Sequence, residues 1–204
     1  MEGPSQLVRN PGDAVETSGP APTVVVIMGV SGSGKTTLGR LLAGRLDVPF
    51  VEGDDFHPAT NIARMAAGHA LDDQDREPWL RALAGWIRDT TRRGVGAVVS
   101  CSALKHEYRD VLRAAGPGVC FLYLRLDEDV ARARIGRRTG HFMPAGLLES
   151  QYDALEPLRA DEPGLAVDAD ADTDTVLGQA LTAVAHFETR RGAAPEPRSG
   201  AAGQ

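Results

Sequence analysis

TVVVIMGVSGSGKTTLGRLL, residues 23–42, is the stretch that decides the fold. Thr23–Met28 is a β-branched apolar run and reads as a buried strand. It breaks into Gly29-Val30-Ser31-Gly32-Ser33-Gly34-Lys35-Thr36, and a helical pattern follows over Thr36–Leu46. That segment fits G-x-x-x-x-G-K-[ST]. Its glycines let the backbone curl so that successive N–H groups point inward at phosphate oxygens, and the helix it opens adds a favourable dipole. On this reading Lys35 reaches the β- and γ-phosphates of ATP, the Thr36 hydroxyl coordinates Mg²⁺, and Thr37 extends the nucleotide contacts. An accidental match in a glycine-rich chain would not be expected to sit between a strand and a helix.

Outward from this loop, short apolar runs alternate with helical patterns. Pro49–Val51, Ala97–Ser100, Cys120–Leu124 and Leu165–Val167 read as further buried strands. Helices are predicted over Trp79–Arg92, Lys105–Ala115, Asp127–Arg138, Leu147–Leu155 and Asp174–Arg190. In the second of these, Tyr108, Val111 and Leu112 form the apolar side. Alternation of this kind implies an α/β fold, a parallel sheet with right-handed crossovers and helices on both faces, with ligands at the carboxyl ends of the strands. Residues 1–22 and 191–204 are rich in Gly, Pro and polar residues without periodicity and read as disordered tails, leaving one domain over about 23–190.

Composition narrows the class. A net charge of −6 argues against a nucleic-acid partner. No apolar run approaches the roughly 18–20 residues that cross a bilayer, and no secretory leader is visible, so a cytoplasmic protein without a membrane partner is expected. Cys101 and Cys120 lie in apolar segments and read as buried free thiols. Of the 22 basic residues only Lys35 and Lys105 are lysines.

The second strand ends in Glu52-Gly53-Asp54-Asp55-Phe56-His57-Pro58. Carboxylates there face the γ-phosphate, and Glu52 and Asp54, two apart, would share a side of an extended chain. One can hold Mg²⁺ through water; the other can accept or orient the proton of an attacking hydroxyl. Asp72-Asp73-Gln74-Asp75-Arg76 reads as a solvated helix entry with Pro78 in the first turn. Lys105 and Arg109, at i and i+4, share a helix face and are either a cradle for an anionic acceptor or exposed. Arg132, Arg134, Arg137 and Arg138 lead into Thr139-Gly140-His141-Phe142-Met143-Pro144, which reads as a mobile lid over about 137–150 whose arginines neutralise the transferring group and exclude water. A GTPase-like switch is disfavoured because N/T-K-x-D is absent.

The blocks GVSGSGKTT, EGDDFHPATNIARMAAGHALDDQDREPWL, CSALKHEYRDVLR and GHFMPAGLLESQYDALEP, in that order, resemble the gluconokinases of the P-loop kinase superfamily over about residues 24–188. The resemblance implies ATP-dependent phosphorylation of the C6 hydroxyl of D-gluconate, a three-layer α/β/α fold akin to shikimate and adenylate kinases with strand order 2-3-1-4-5, and a common homodimer. It implies Asp54 as the group orienting the acceptor hydroxyl, His57, Lys105 and Arg109 as acceptor contacts, and Arg134 and Arg138 as the arginines entering the lid. The third strand lacks a terminal Asp, so metal ligation falls to Thr36, the carboxylates at 52 and 54, and water; Thr36 and Glu52 are the expected ligands, Glu52 standing where some members have Asp. Gluconate needs cations and hydrogen-bonding groups, and Arg64, Gln151 and the lid's His141 add to that set. Lys35, Asp54 and Arg138 form the expected catalytic group. The alternatives are a sibling kinase with a shikimate-like acceptor and a nucleotide-binding protein without turnover.

Overall fold

A computed structural model describes residues 21–137 and 145–193. Val24–Met28 forms β1, with every residue buried, as a strand covered on both faces requires. Around it lie β2 (Phe50–Glu52), β3 (Ala97–Ser100), β4 (Val119–Arg125) and β5 (Gly164–Asp168). The sheet order is β2-β3-β1-β4-β5 and every pairing is parallel. The order implied by the resemblance is therefore the order found.

Side chains of β1 alternate between two cores, as the period of two demands. Val25 and Ile27 face α1 (Lys35–Leu46) and α7 (Thr173–Gly192), packing with Leu38, Leu42, Leu177 and Val184. Val24, Val26 and Met28 face the other way, onto Trp79, Leu83 and Ile87 of α3 (Asp73–Arg92) and Tyr108 and Leu112 of α4 (His106–Arg113). Three layers result. Helices α5 (Glu128–Gly136) and α6 (Ala145–Asp153) cap the carboxyl end of the sheet.

Several elements differ from expectation. Helix α2 (Ala59–Ala66) is absent from the sequence reading because its eight residues bury only Asn61. Helix α3 starts six residues before Trp79, on a capping box in which Asp72 and Asp75 satisfy each other's backbone N–H. Pro78 therefore falls in its second turn instead of its first. Helix α7 runs to Gly192, and Arg191 donates to the Ala21 carbonyl at 2.9 Å beside the start of β1. In α4 the apolar side is not the one expected: Val111 is exposed and Arg109 is fully buried.

Candidate active site

The loop after β1 depends on glycine at three places. Gly29, Gly32 and Gly34 have φ of 140°, 84° and 94°, in the left-handed range that side chains disfavour. At Gly29 a Cβ would also lie 2.8 Å from the Leu124 carbonyl oxygen. Lys35 Nζ curls back over the loop and donates to the Gly29 and Val30 carbonyls, both at 2.9 Å. Ser33 Oγ is buried and finds no hydrogen-bond partner among the described residues, a cost of about 1–3 kcal/mol that an incoming acceptor would relieve.

Against this loop lies a cleft of about 180 Å³ lined by Lys35, Thr36, Glu52, Asp54 and Ser100. Glu52 closes β2 and accepts a hydrogen bond from Ser100 Oγ at the end of β3. Asp54 is not on extended chain; it sits in a 3₁₀ turn over Gly53–Phe56. The turn is held tightly. A Cβ on Gly53 would lie 2.3 Å from the Ser100 carbonyl oxygen, and Trp79 Nε1 donates to the Gly53 carbonyl at 2.6 Å. The two carboxylates thus share one cleft because the turn aims Asp54 there. A hydroxyl, two carboxylates and room for water and phosphate oxygens form a hard-donor set that suits Mg²⁺. Among the described residues no cluster of three or more His, Cys, Asp or Glu could hold a metal ion.

On the other side of the loop a cleft of about 330 Å³ runs past Thr37, Arg134 and Arg137 to the β5–α7 connection. Arg134 bridges its wall, donating to the Ala169 carbonyl at 2.9 Å and to Asp170 at 3.1 Å.

A third cleft, about 320 Å³, shares Ser31, Lys35 and Asp54 with the first and extends to His57, Arg76, Trp79 and Gln151. His57 stacks on Trp79 with centroids 4.2 Å apart and rings 15° from parallel. Burial depresses its pKa, outweighing the nearby Asp54 charge, and Arg76 adds to the depression. Gln151 joins α6 to the phosphate loop: its Oε1 accepts the Ser31 N–H at 2.7 Å and its Nε2 donates to Ser31 Oγ at 3.2 Å. Asp54 thus borders both this cleft and the one against the phosphate loop.

The family profile described as an AAA domain matches residues 24–158. The thermosensitive gluconokinase of Escherichia coli K12 is 43% identical, the match covering 84% of this chain and 92% of that one. A gluconokinase from Sinorhizobium meliloti 1021 superposes with a TM-score of 0.76 at 41% identity, over 83% of this chain and 95% of the other. The chain belongs to the gluconokinase family. An unliganded sugar kinase from Janibacter sp. HTCC2649 is similarly related, with a TM-score of 0.78 and 46% identity over 80% of this chain and 95% of that one.

In this gluconokinase family member the expected site residues separate into three groups. The phosphate-loop residues 31–37, Glu52, Asp54, His57, Arg134 and Gln151 border the three clefts, and Gly29 and Val30 support the loop through the carbonyls that hold Lys35. Arg64, Lys105 and Arg109 do not. Arg64 is drawn to Asp75 at 2.8 Å, stapling α2 to α3. Lys105 Nζ is held by both oxygens of Asp73 at 2.7 and 2.8 Å. Arg109 is engaged inside the protein: Nε donates to Glu162 at 2.5 Å, Nη1 to the Ala103 and Leu104 carbonyls, and Nη2 to Glu162 and the Pro157 carbonyl. All five of its donors are taken, so the i, i+4 cradle is corrected to a structural role. Arg138 and His141 lie outside the described residues, as do residues 138–144 of the expected lid; its last part falls in α6.

Sequence reasoning missed Arg76, Trp79 as an organiser of the Asp54 turn, and Glu162. For Arg76 a signal existed. It lies three residues before Trp79 and seven before Leu83, on the same buried stripe of α3. Glu162 left no local trace.

Proposed function

We propose that this protein catalyses ATP-dependent phosphorylation of D-gluconate at its C6 hydroxyl, giving 6-phospho-D-gluconate and ADP. The observation that carries the reading is the position of Asp54, which with Ser31 and Lys35 borders both the phosphate cleft and the acceptor cleft. A hydroxyl is a weak nucleophile at neutral pH, so a carboxylate that accepts or orients its proton is required at this junction. The loop N–H groups and Lys35 hold the transferring phosphoryl group, and the α1 N-terminus favours its charge. Thr36 and Glu52 would hold Mg²⁺, which when bound neutralises charge on the β- and γ-phosphate oxygens. Arg134 borders the nucleotide cleft, and Arg138 and His141 complete the reading as residues of a closing lid over about 137–150. The reading includes a domain over about 23–190 between two tails, a cytoplasmic location and a homodimer.

Among the described residues no helix is long and apolar enough to cross a membrane. A coupled ADP-release assay across gluconate, shikimate, glucose and nucleoside monophosphates tests the acceptor. Turnover on gluconate well above the others is expected. Faster turnover on shikimate, or none on any acceptor, would overturn the reading.

A further inference from the structure

A sugar acid has two chemically different ends, and only one has been accounted for. With the hydroxyl end at Asp54, the carboxylate must lie farther along the acceptor cleft and needs a cation there. Lys35 belongs to the phosphate loop at the shared end. Arg64, Lys105 and Arg109 are held by Asp75, Asp73 and Glu162 and do not border the cleft. His57 is disfavoured as a cation by burial.

Arg76 is different. It borders the cleft, is half-buried and is anchored at one edge only, Nε donating to the Leu71 carbonyl at 3.2 Å. Among the described residues its two Nη groups carry no hydrogen bond or ion pair. Its guanidinium lies 5.6 Å from the centroid of the Tyr108 ring. That ring is fixed in turn, because Tyr108 Oη donates to Asp73, the same carboxylate that holds Lys105. Anchored at Nε and backed by an aromatic face, the guanidinium presents a pre-organised fork, the geometry that matches a carboxylate through two parallel N–H···O bonds.

We infer that Arg76 binds the carboxylate of the acceptor and so sets the preference for a sugar acid over the neutral polyol of the same length. Lys105 then acts at one remove, pinning Asp73 and Tyr108 behind the fork. The inference rests on the gluconate reading for the identity of the acceptor, and the test separates the two.

The full-length chain, R76M and R76K are compared on D-gluconate and on D-glucitol, which carries CH₂OH in place of the carboxylate. Equal melting temperatures confirm that the variants are folded. R76M is expected to raise KM for gluconate on the order of 10²-fold, the worth of two charge-assisted hydrogen bonds. KM for ATP should be unchanged, and the gluconate-to-glucitol preference should collapse. R76K, a point charge, should restore only part of it. An undiminished preference in R76M, or equal losses on both acceptors, overturns the inference and leaves the gluconate reading standing. Calorimetry with gluconate alone covers the converse. Binding by the wild type that R76M loses, without turnover, supports Arg76 and breaks the kinase reading. A wild type that neither binds nor phosphorylates gluconate overturns both.

Discussion

The two clefts that meet at Asp54 are built on opposite plans. The phosphate side is framed by one continuous segment, three glycines at positive φ and the start of α1, with only Glu52, Asp54 and the end of β3 closing it from elsewhere. The acceptor side is almost all side chain, assembled from the 3₁₀ turn, α2, α3, the loop after β3 and α6. A backbone cradle is specified locally by residues that permit its torsions. A side-chain pocket is specified only once distant elements have decided which groups remain available, and here most nearby cations are engaged in holding those elements together.

The largest effect that tests this division is at the junction. Asp54→Asn should lower kcat by roughly 10²–10⁴-fold and leave ATP affinity by calorimetry unchanged. Weakened ATP binding of similar size would place Asp54 on the phosphate side alone. Next comes Arg109, which supports both sides: its bonds to the Ala103 and Leu104 carbonyls hold the loop whose Ser102 carbonyl accepts the Gly29 N–H. Arg109→Met leaves Glu162 buried without its partner and should destabilise the fold by about 3–5 kcal/mol, read as a fall in denaturant midpoint. The protein that remains folded should keep its gluconate preference.

The same pair predicts a pH limb. Burial alone would raise the Glu162 pKa, but hydrogen bonds from Arg109 and the Arg159 N–H, with the Arg109 charge, outweigh it and hold the pKa at about 2. A depressed carboxylate contributes stability that is present above its unfolded value, about 4.5, and lost as pH falls toward about 2. In Glu162→Gln, chemical denaturation across that window should lose this contribution to the pH dependence.

Gln151 offers a smaller test, because it touches both sides. Gln151→Ala removes two hydrogen bonds to Ser31 and should raise KM for ATP and gluconate together, by about tenfold. A change confined to one substrate would assign the residue to one cleft. The smallest effect is expected at Lys105, whose pair with Asp73 is partly exposed and worth about 0–1 kcal/mol. Lys105→Ala should change KM for gluconate by no more than about threefold.

These contrasts also explain what could be read from the chain alone. The strand, glycine loop and helix at 23–46 are legible because each follows from neighbouring residues. The inner strands β1, β3 and β4 are legible because buried parallel strands are uninterrupted apolar runs, whereas the edge strands β2 and β5 are short apolar runs that the fold leaves partly or mostly exposed. Helix α4 was misread because apolarity favours Val111 over Arg109, whereas Glu162, more than fifty residues on, supplies the carboxylate that makes the arginine the interior residue. Arg76 was hidden in a run of charges that also serves as a helix cap. The signal was its spacing from Trp79, not its neighbours. Trp79 opens an expected helix, but its indole N–H to Gly53 depends on a turn that the strand pattern does not contain.

Cys101 and Cys120 are both free, almost completely buried, and pushed up to about 12 by burial, with the Asp54 charge adding to the effect at Cys101. At neutral pH neither offers thiolate to an alkylating reagent while the sheet is closed. Their alkylation therefore runs only as fast as the molecule breathes. Cys101 borders the phosphate cleft at the end of β3, and Cys120 lies in β4. The protein carries two internal clocks, one set at its working end and one in the sheet behind it, and no probe need be added to read them.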